Sequence, residues 1–208
     1  MLAVTGFPAH AWADALLAQI EGAAAGGIDV VQVREAGIPV GEYVRFVRRC
    51  VAGLGRSGVK VIVNDRLDVA LAAGAHGVHL REDSIAINEA RRASPRNFLI
   101  GRSVHASTTA VHARMADYMI AGSVFETESK QGQPASLGLG GLRAVVNAAG
   151  SCPVWAVGGV TADRASELVA CGVGGVAAIG AFLPQGRTTA IASQAQKFTE
   201  LLRFSLTA

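Results

Sequence analysis

Eight short apolar runs recur along this chain, each separated from the next by a stretch patterned as a helix. The runs are LAVTG at 2–6, DVVQVR at 29–34, VKVIVND at 59–65, GVHL at 77–80, FLIGRS at 98–103, DYMIAG at 117–122, PVWAVGG at 153–159 and GVAAIG at 175–180. They are nearly continuous in apolar residues rather than alternating. That is the pattern of parallel strands buried on both faces. The intervening segments carry apolar residues at three- and four-residue spacings, as amphipathic helices do. Examples are AWADALLAQIEGAAAG, VGEYVRFVRRCVAGLG, LDVALAAG, SIAINEARRAS, LGGLRAVVNAAG and TADRASELVACG. Ser84 and the Thr161/Asp163 pair read as helix starts, and Gly74 and Gly172 as helix stops.

Eight strands alternating with helices predict an α/β fold, a single (β/α)8 TIM barrel spanning residues 1–208. A doubly wound open sheet is the alternative, and the count of eight favours the barrel. No linker or low-complexity segment divides the chain. GGIDVV, GAHGVH and GVGGVA each join a helix end to a strand start, a weak echo of one repeated βα unit.

Composition excludes several other classes. Hydrophobic residues are 50% and charged residues 17%, so the chain is not a disordered one. The 25 glycines follow no three-residue period, which excludes a collagen-like chain. Three cysteines, Cys50, Cys152 and Cys171, form no CxxC pair, and an odd, scattered set is neither a disulfide framework nor a zinc site. No 18-residue apolar run is present, so no membrane span is expected. MLAVTGFPAHAWAD lacks the charged start of a signal peptide, and a cytoplasmic location is expected. The net charge is +3, with the basic residues spread along the chain. Arg45, Arg48 and Arg49 fall on one helix face with few aromatics nearby, which reads as a solvated face and not a nucleic-acid surface. The oligomeric state is left open, a homodimer included.

In a barrel, active residues sit at the C-terminal ends of strands and in the loops that follow. Gln32, Arg34 and Glu35 close the second run, and Asn64 and Asp65 the third. His79 lies in the fourth, followed by Arg81, Glu82 and Asp83. The fifth runs through Arg102 and Ser103 to His105. The sixth leads into Ser123 and a polar stretch with Thr127, Ser129 and Lys130. Gly158-Gly159 and Ile179-Gly180 end the last two runs. Bare backbone N–H groups there would cradle a phosphate, or the glycines would simply make tight turns. Asp65 and Asp83 suit a hard ion such as Mg²⁺, which takes one or two carboxylates plus substrate phosphates; helix capping is the other reading. Lys130 could hold a phosphate or close a lid. His105 is the best-placed general acid or base.

The blocks VQVREAG, VIVNDRLDVALAAGAHGVHLREDS, IGRSVH, ADYMIAGSVFETESKQG, PVWAVGGVT and GVGGVAAIGAF resemble, in order and over nearly the whole chain, the thiamine phosphate synthase/TenI family. The resemblance implies a TIM barrel that joins a hydroxymethylpyrimidine diphosphate to a thiazole phosphate and releases pyrophosphate, with Mg²⁺ as cofactor. It implies Mg²⁺ at Asp65 and Asp83. Arg34, Asn64 and Lys130 would hold the diphosphate, and Ser103 would touch the pyrimidine. Thr127, Ser129, Gly159, Ile179 and Gly180 would surround the thiazole phosphate.

Four positions depart from the family patterns. Ala36 stands where the synthase pattern has Lys, and Gly180 where it has Ser. Glu126 stands where it has Pro, and Ser123 stands where TenI-type thiazole tautomerases place their His. The leading expectation is the synthase. The alternatives are a thiazole tautomerase working through His105 and a non-catalytic thiazole-phosphate binder.

Overall fold

The computed structural model describes residues 2–4, 12–34, 37–126, 136–178, 192–193, 195–197 and 199–200. The chain forms two compact units, each assembled from separate segments. The first comprises Met1–His79, Ser94–Leu99 and Ile179–Thr199, the second Leu80–Ala93, Ile100–Ala178 and Glu200–Ala208.

In the first unit the elements alternate: β1 (Leu2–Val4), α1 (Trp12–Ala25), β2 (Val30–Val33), α2 (Val40–Leu54), β3 (Lys60–Asn64), α3 (Leu67–Ala73) and β4 (Gly77–Leu80), whose last residue falls in the second unit. β1 to β4 pair in parallel and in sequence order, with Val31 between Leu2 and Val61, and Asn64 beside His79. Every residue of β2 is buried, as both-face coverage requires. Leu16 and Ile20 of α1 and Phe46 and Val47 of α2 are buried too, and α2 packs on α1, α3 and β3. Each such side chain stabilises the unit by about 1.5–3 kcal/mol relative to exposure. α3 stops at Gly74, whose φ of 70° lets it cap the helix left-handed. His76 follows, and its Nδ1 accepts the Val61 N–H at 3.0 Å.

The second unit contains α4 (Ile87–Ala93), β5 (Leu99–Val104, its first residue in the first unit), α5 (Ser107–His112), β6 (Tyr118–Gly122), α6 (Gly138–Ala149), β7 (Val154–Val157), a 3₁₀ turn (Ala162–Arg164), α7 (Ala165–Val169) and β8 (Gly175–Ala177). β5 to β8 are again parallel and sequential. The Tyr118 and Trp155 rings stack at 4.1 Å. In each unit, neighbours in sequence are neighbours in the sheet.

Several sequence expectations shift at their edges, for physical reasons. β3 ends at Asn64 because Asp65 adopts a φ of 61°, which leaves the extended region. β7 ends at Val157 because Gly158 and Gly159 have φ of 96° and 63°. β5 runs one residue further than read, to Val104, and holds Arg102 and Ser103 as the run FLIGRS implied. Ser84 is not a helix cap: its Oγ accepts the Arg81 N–H in a turn, and α4 begins at Ile87. The helix read at 161–172 opens as 3₁₀, because Arg164 sits at φ −95°, ψ 1°. α5 fills the interval between the fifth and sixth runs. Its two threonines are poor helix formers, but Thr109 Oγ1 accepts the N–H groups of His105 and Ala106 at 3.3 Å and closes the first turn.

Candidate active site

Polar side chains gather where strands end. In the first unit, Gln32 near the end of β2 is 4% exposed, and its Nε2 donates to Asn64 Oδ1 at 2.8 Å. The next peptide of β3 turns sharply. Asp65 N–H donates to His79 O at 2.8 Å, and Arg66 N–H donates back to Asn64 O at 2.7 Å. This lifts the Asp65 side chain, half-buried, to the start of α3. Arg34 follows β2 and is exposed. The end of β2 is fixed from outside by Tyr43 of α2, whose hydroxyl donates to Val33 O at 2.9 Å. Glu35, which follows Arg34 in sequence, lies outside the described residues. Arg66 is taken by a two-point ion pair with Asp68. That pair holds the Asp68 carboxyl below its ordinary range.

In the second unit, the segment after β4 carries Arg81, Glu82 and Asp83, all exposed. Arg81 Nη2 reaches Asp83 Oδ2 at 2.5 Å. The guanidinium beside it holds the Asp83 carboxyl below the usual range, so it is ionised at neutral pH. Glu82 Oε2 lies 2.5 Å from His105 Nδ1, which follows β5. Ser103 is half-buried within β5. Arg102, beside it, is 8% exposed and donates to Arg81 O and Ile85 O.

Gly158 and Gly159 meet the loop after β6. A Cβ on Gly158 would fall within 2.6 Å of the Ser123 side chain, and one on Gly159 within 2.7 Å of Phe125 Cβ. Val124 N–H donates to Val157 O and Phe125 N–H to Gly158 O. Arg164 covers this junction, its guanidinium 4.1 Å from the Phe125 ring and donating to Gly159 O. Backbone approach thus requires these two glycines whether or not an anion binds.

Of the sequence-identified residues, the structure brings together Gln32, Asn64 and Asp65 in the first unit. It pairs His105 with Glu82, which sits next to Asp83, in the second. Thr127, Ser129, Lys130, Ile179, Gly180 and Ala36 lie outside the described residues. Sequence reasoning assigned no task to Tyr43, Glu82, Arg102 or Arg164. Arg102 had a signal, a charge inside the apolar run FLIGRS, since a buried guanidinium must find acceptors. Asp65 and Asp83 offer hard oxygen donors that fit Mg²⁺. Among the described residues no group of three or more His, Cys, Asp or Glu could hold a metal. An ion at either carboxylate would complete its shell with water and phosphate oxygens.

The sequence pattern of the family described as thiamine monophosphate synthase matches residues 2–182. The chain belongs to this family. It is 42% identical over 172 residues to a thiamine-phosphate synthase of Methanoculleus marisnigri, covering 82% of this chain and 81% of that protein. The corresponding protein of Methanoregula boonei is 41% identical over 165 residues, 78% of this chain and 76% of that one. Among solved structures, a thiamine phosphate pyrophosphorylase from Pyrococcus furiosus superposes with a TM-score of 0.82 at 29% identity, over 99% of this chain and 96% of that chain. The fold is therefore parallel α/β and TIM-barrel-like.

Proposed function

We propose that this member of the thiamine monophosphate synthase family is a thiamine-phosphate synthase. It would join a hydroxymethylpyrimidine diphosphate to a thiazole phosphate and release pyrophosphate. The observation that carries the reading is the Gln32–Asn64–Asp65 arrangement at the ends of β2 and β3, in a chain 42% identical over 82% of its length to a protein of that name. The finer architecture proposed with it is one closed (β/α)8 barrel over 1–208, supported by eight strands in βα order. A cytoplasmic location fits a small-molecule enzyme. Among the described residues no helix is long and apolar enough to cross a membrane.

The reaction breaks the bond between the pyrimidine methylene carbon and the diphosphate oxygen. Both electrons leave with the pyrophosphate. The thiazole nitrogen lone pair then forms the new C–N bond, so no proton has to move in that step. The demand on the protein is to stabilise charge on the leaving group and to hold the two rings in line. Mg²⁺, when bound, would neutralise the diphosphate, and Asp65 and Asp83 are the residues proposed to hold it. Arg34, Asn64 and Lys130 would donate to the diphosphate oxygens. Gln32 keeps the Asn64 side-chain oxygen occupied, which leaves the Asn64 NH₂ to donate outward. Ser103 would meet the pyrimidine. Thr127, Ser129, Gly158, Gly159, Ile179 and Gly180 would receive the thiazole phosphate.

One observation favours a second reading. The Glu82–His105 pair is a carboxylate-oriented imidazole suited to proton transfer, as a TenI-type thiazole tautomerase needs. Purified protein incubated with both substrates and Mg²⁺ decides between them. Thiamine phosphate formation is expected. Mg²⁺-independent isomerisation of a thiazole carboxylate phosphate, lost in His105→Ala, would replace the synthase reading. Binding of thiazole phosphate without either reaction would leave a non-catalytic binder.

A further inference from the structure

We propose that Arg102 is a positioning residue for the synthase reaction: from inside β5 it fixes the backbone of residues 81–85, and so the placement of Asp83 and Glu82. The proposal rests on the reading above for what those carboxylates do.

The geometry is specific. Arg102 is buried within the strand, its backbone in register with Met119. One guanidinium nitrogen donates to Arg81 O at 2.5 Å and the other to Ile85 O at 2.7 Å. Glu82 O and Ser84 O lie at the outer limit, 3.4 and 3.5 Å from the first nitrogen. These four carbonyls belong to a single loop, and the two short bonds reach its first and last. A planar fork with five donors can span them; a lysine ammonium, a point donor, cannot reach both in the same geometry.

The loop is also closed on itself. Arg81 N–H donates to Ser84 Oγ, and Ser84 N–H donates to Arg81 O, each at 3.1 Å. Its backbone is therefore tied on the inner side while the side chains of Arg81, Glu82 and Asp83 stay exposed. A second tie, from His105 to Glu82, comes from the end of the same strand. An apolar residue at 102 would fill a buried slot with no charge to desolvate. What arginine adds is the position of the loop. A displaced loop would carry a carboxylate away from where the diphosphate and its cation meet, and misplacement of about 1 Å is worth about a hundredfold in rate.

Arg102→Lys and Arg102→Met, beside the unaltered protein, test this with three readouts. Hydrogen exchange of the Arg81 and Ser84 amides in the ligand-free protein should quicken about tenfold or more, with β6 amides unchanged. The Mg²⁺ concentration for half-maximal rate should rise about tenfold and kcat fall by a similar factor, with KM for thiazole phosphate held within about twofold. Calorimetry of Mg²⁺ with inorganic pyrophosphate should show the same weakening without turnover. Unchanged exchange at 81–85 in Arg102→Lys overturns the proposal. So does faster exchange with unaltered Mg²⁺ dependence, which would leave Arg102 a purely structural tie. Should Arg102→Met fail to fold, Arg102→Lys gives the decision. If the unaltered protein makes no thiamine phosphate, the synthase reading falls, while exchange and calorimetry still decide whether Arg102 sets the loop.

Discussion

The side-chain amide of Gln32 donates to the side-chain oxygen of Asn64 across 2.8 Å, joining the end of β2 to the end of β3. Gln32 is almost wholly buried, so its position follows the strand and not the solvent. Replacing Gln32 by Ala frees the Asn64 amide to rotate and should lower kcat/KM about tenfold, near 1.4 kcal/mol. Asn64→Ala leaves the buried Gln32 NH₂ without that acceptor and should also cost about 1–3 kcal/mol in stability. The double variant should lose less than the sum of the two. Steady-state kinetics and urea unfolding on all four proteins measure the coupling, and strict additivity would remove the pair from the mechanism.

Asp65 holds a left-handed backbone, and that allows charge to be separated from shape. Asn tolerates this conformation nearly as well as Asp, whereas Ala is strained there by about 1–2 kcal/mol. Asp65→Asn should therefore unfold at close to the original temperature while losing about a hundredfold or more in rate. Asp65→Ala should lose both. An Asp65→Asn protein that retains full activity would take the proposed cation away from this carboxylate.

The fold was legible in the sequence because strands covered on both faces must be apolar throughout, and runs such as VKVIVND say so directly. Gln32, Asn64 and Asp65 were legible for the converse reason, polar groups at the end of an apolar run. Other features were hidden because their partners are backbone atoms. No residue type reveals that Arg102 will meet the carbonyls of 81 and 85, or that Ser84 will close a turn instead of capping a helix. Gly158 and Gly159 read as an anion cradle, yet Ser123 and Phe125 already demand them. That contact joins segments about 35 residues apart, beyond the reach of local pattern.

Gly159→Ala measures how tightly that junction is built. Its φ of 63° and the 2.7 Å approach to Phe125 Cβ combine backbone strain with steric overlap. The expected loss is about 2–4 kcal/mol in urea unfolding. The backbone share should persist when Phe125 is also replaced by Gly, which removes the clashing Cβ, while the overlap with that atom should be relieved. A Gly159→Ala protein of unchanged stability would mean the junction opens readily.

Alkaline pH should destabilise the fold through two buried acids. Burial pushes the Cys50 thiol up from 9.0 to about 12, and burial raises the Tyr118 phenol above its ordinary 10.0. Both folded values lie above the unfolded ones. Their contribution to stability is thus fully present below pH 9 and is lost as pH rises, for Cys50 between 9.0 and about 12. Across that window the unfolded chain releases a proton the folded one keeps, at up to about 1.4 kcal/mol per pH unit for each group. Unfolding midpoints in urea should fall steadily above pH 9, and Cys50→Ala should flatten the first part of the slope even if it lowers stability at neutral pH. Because Cys50, Cys152 and Cys171 are all buried, a thiol reagent should modify none of them in the native protein at pH 8 and all of them once it unfolds. A pH-independent midpoint from 8 to 11, or rapid native modification, would contradict this burial.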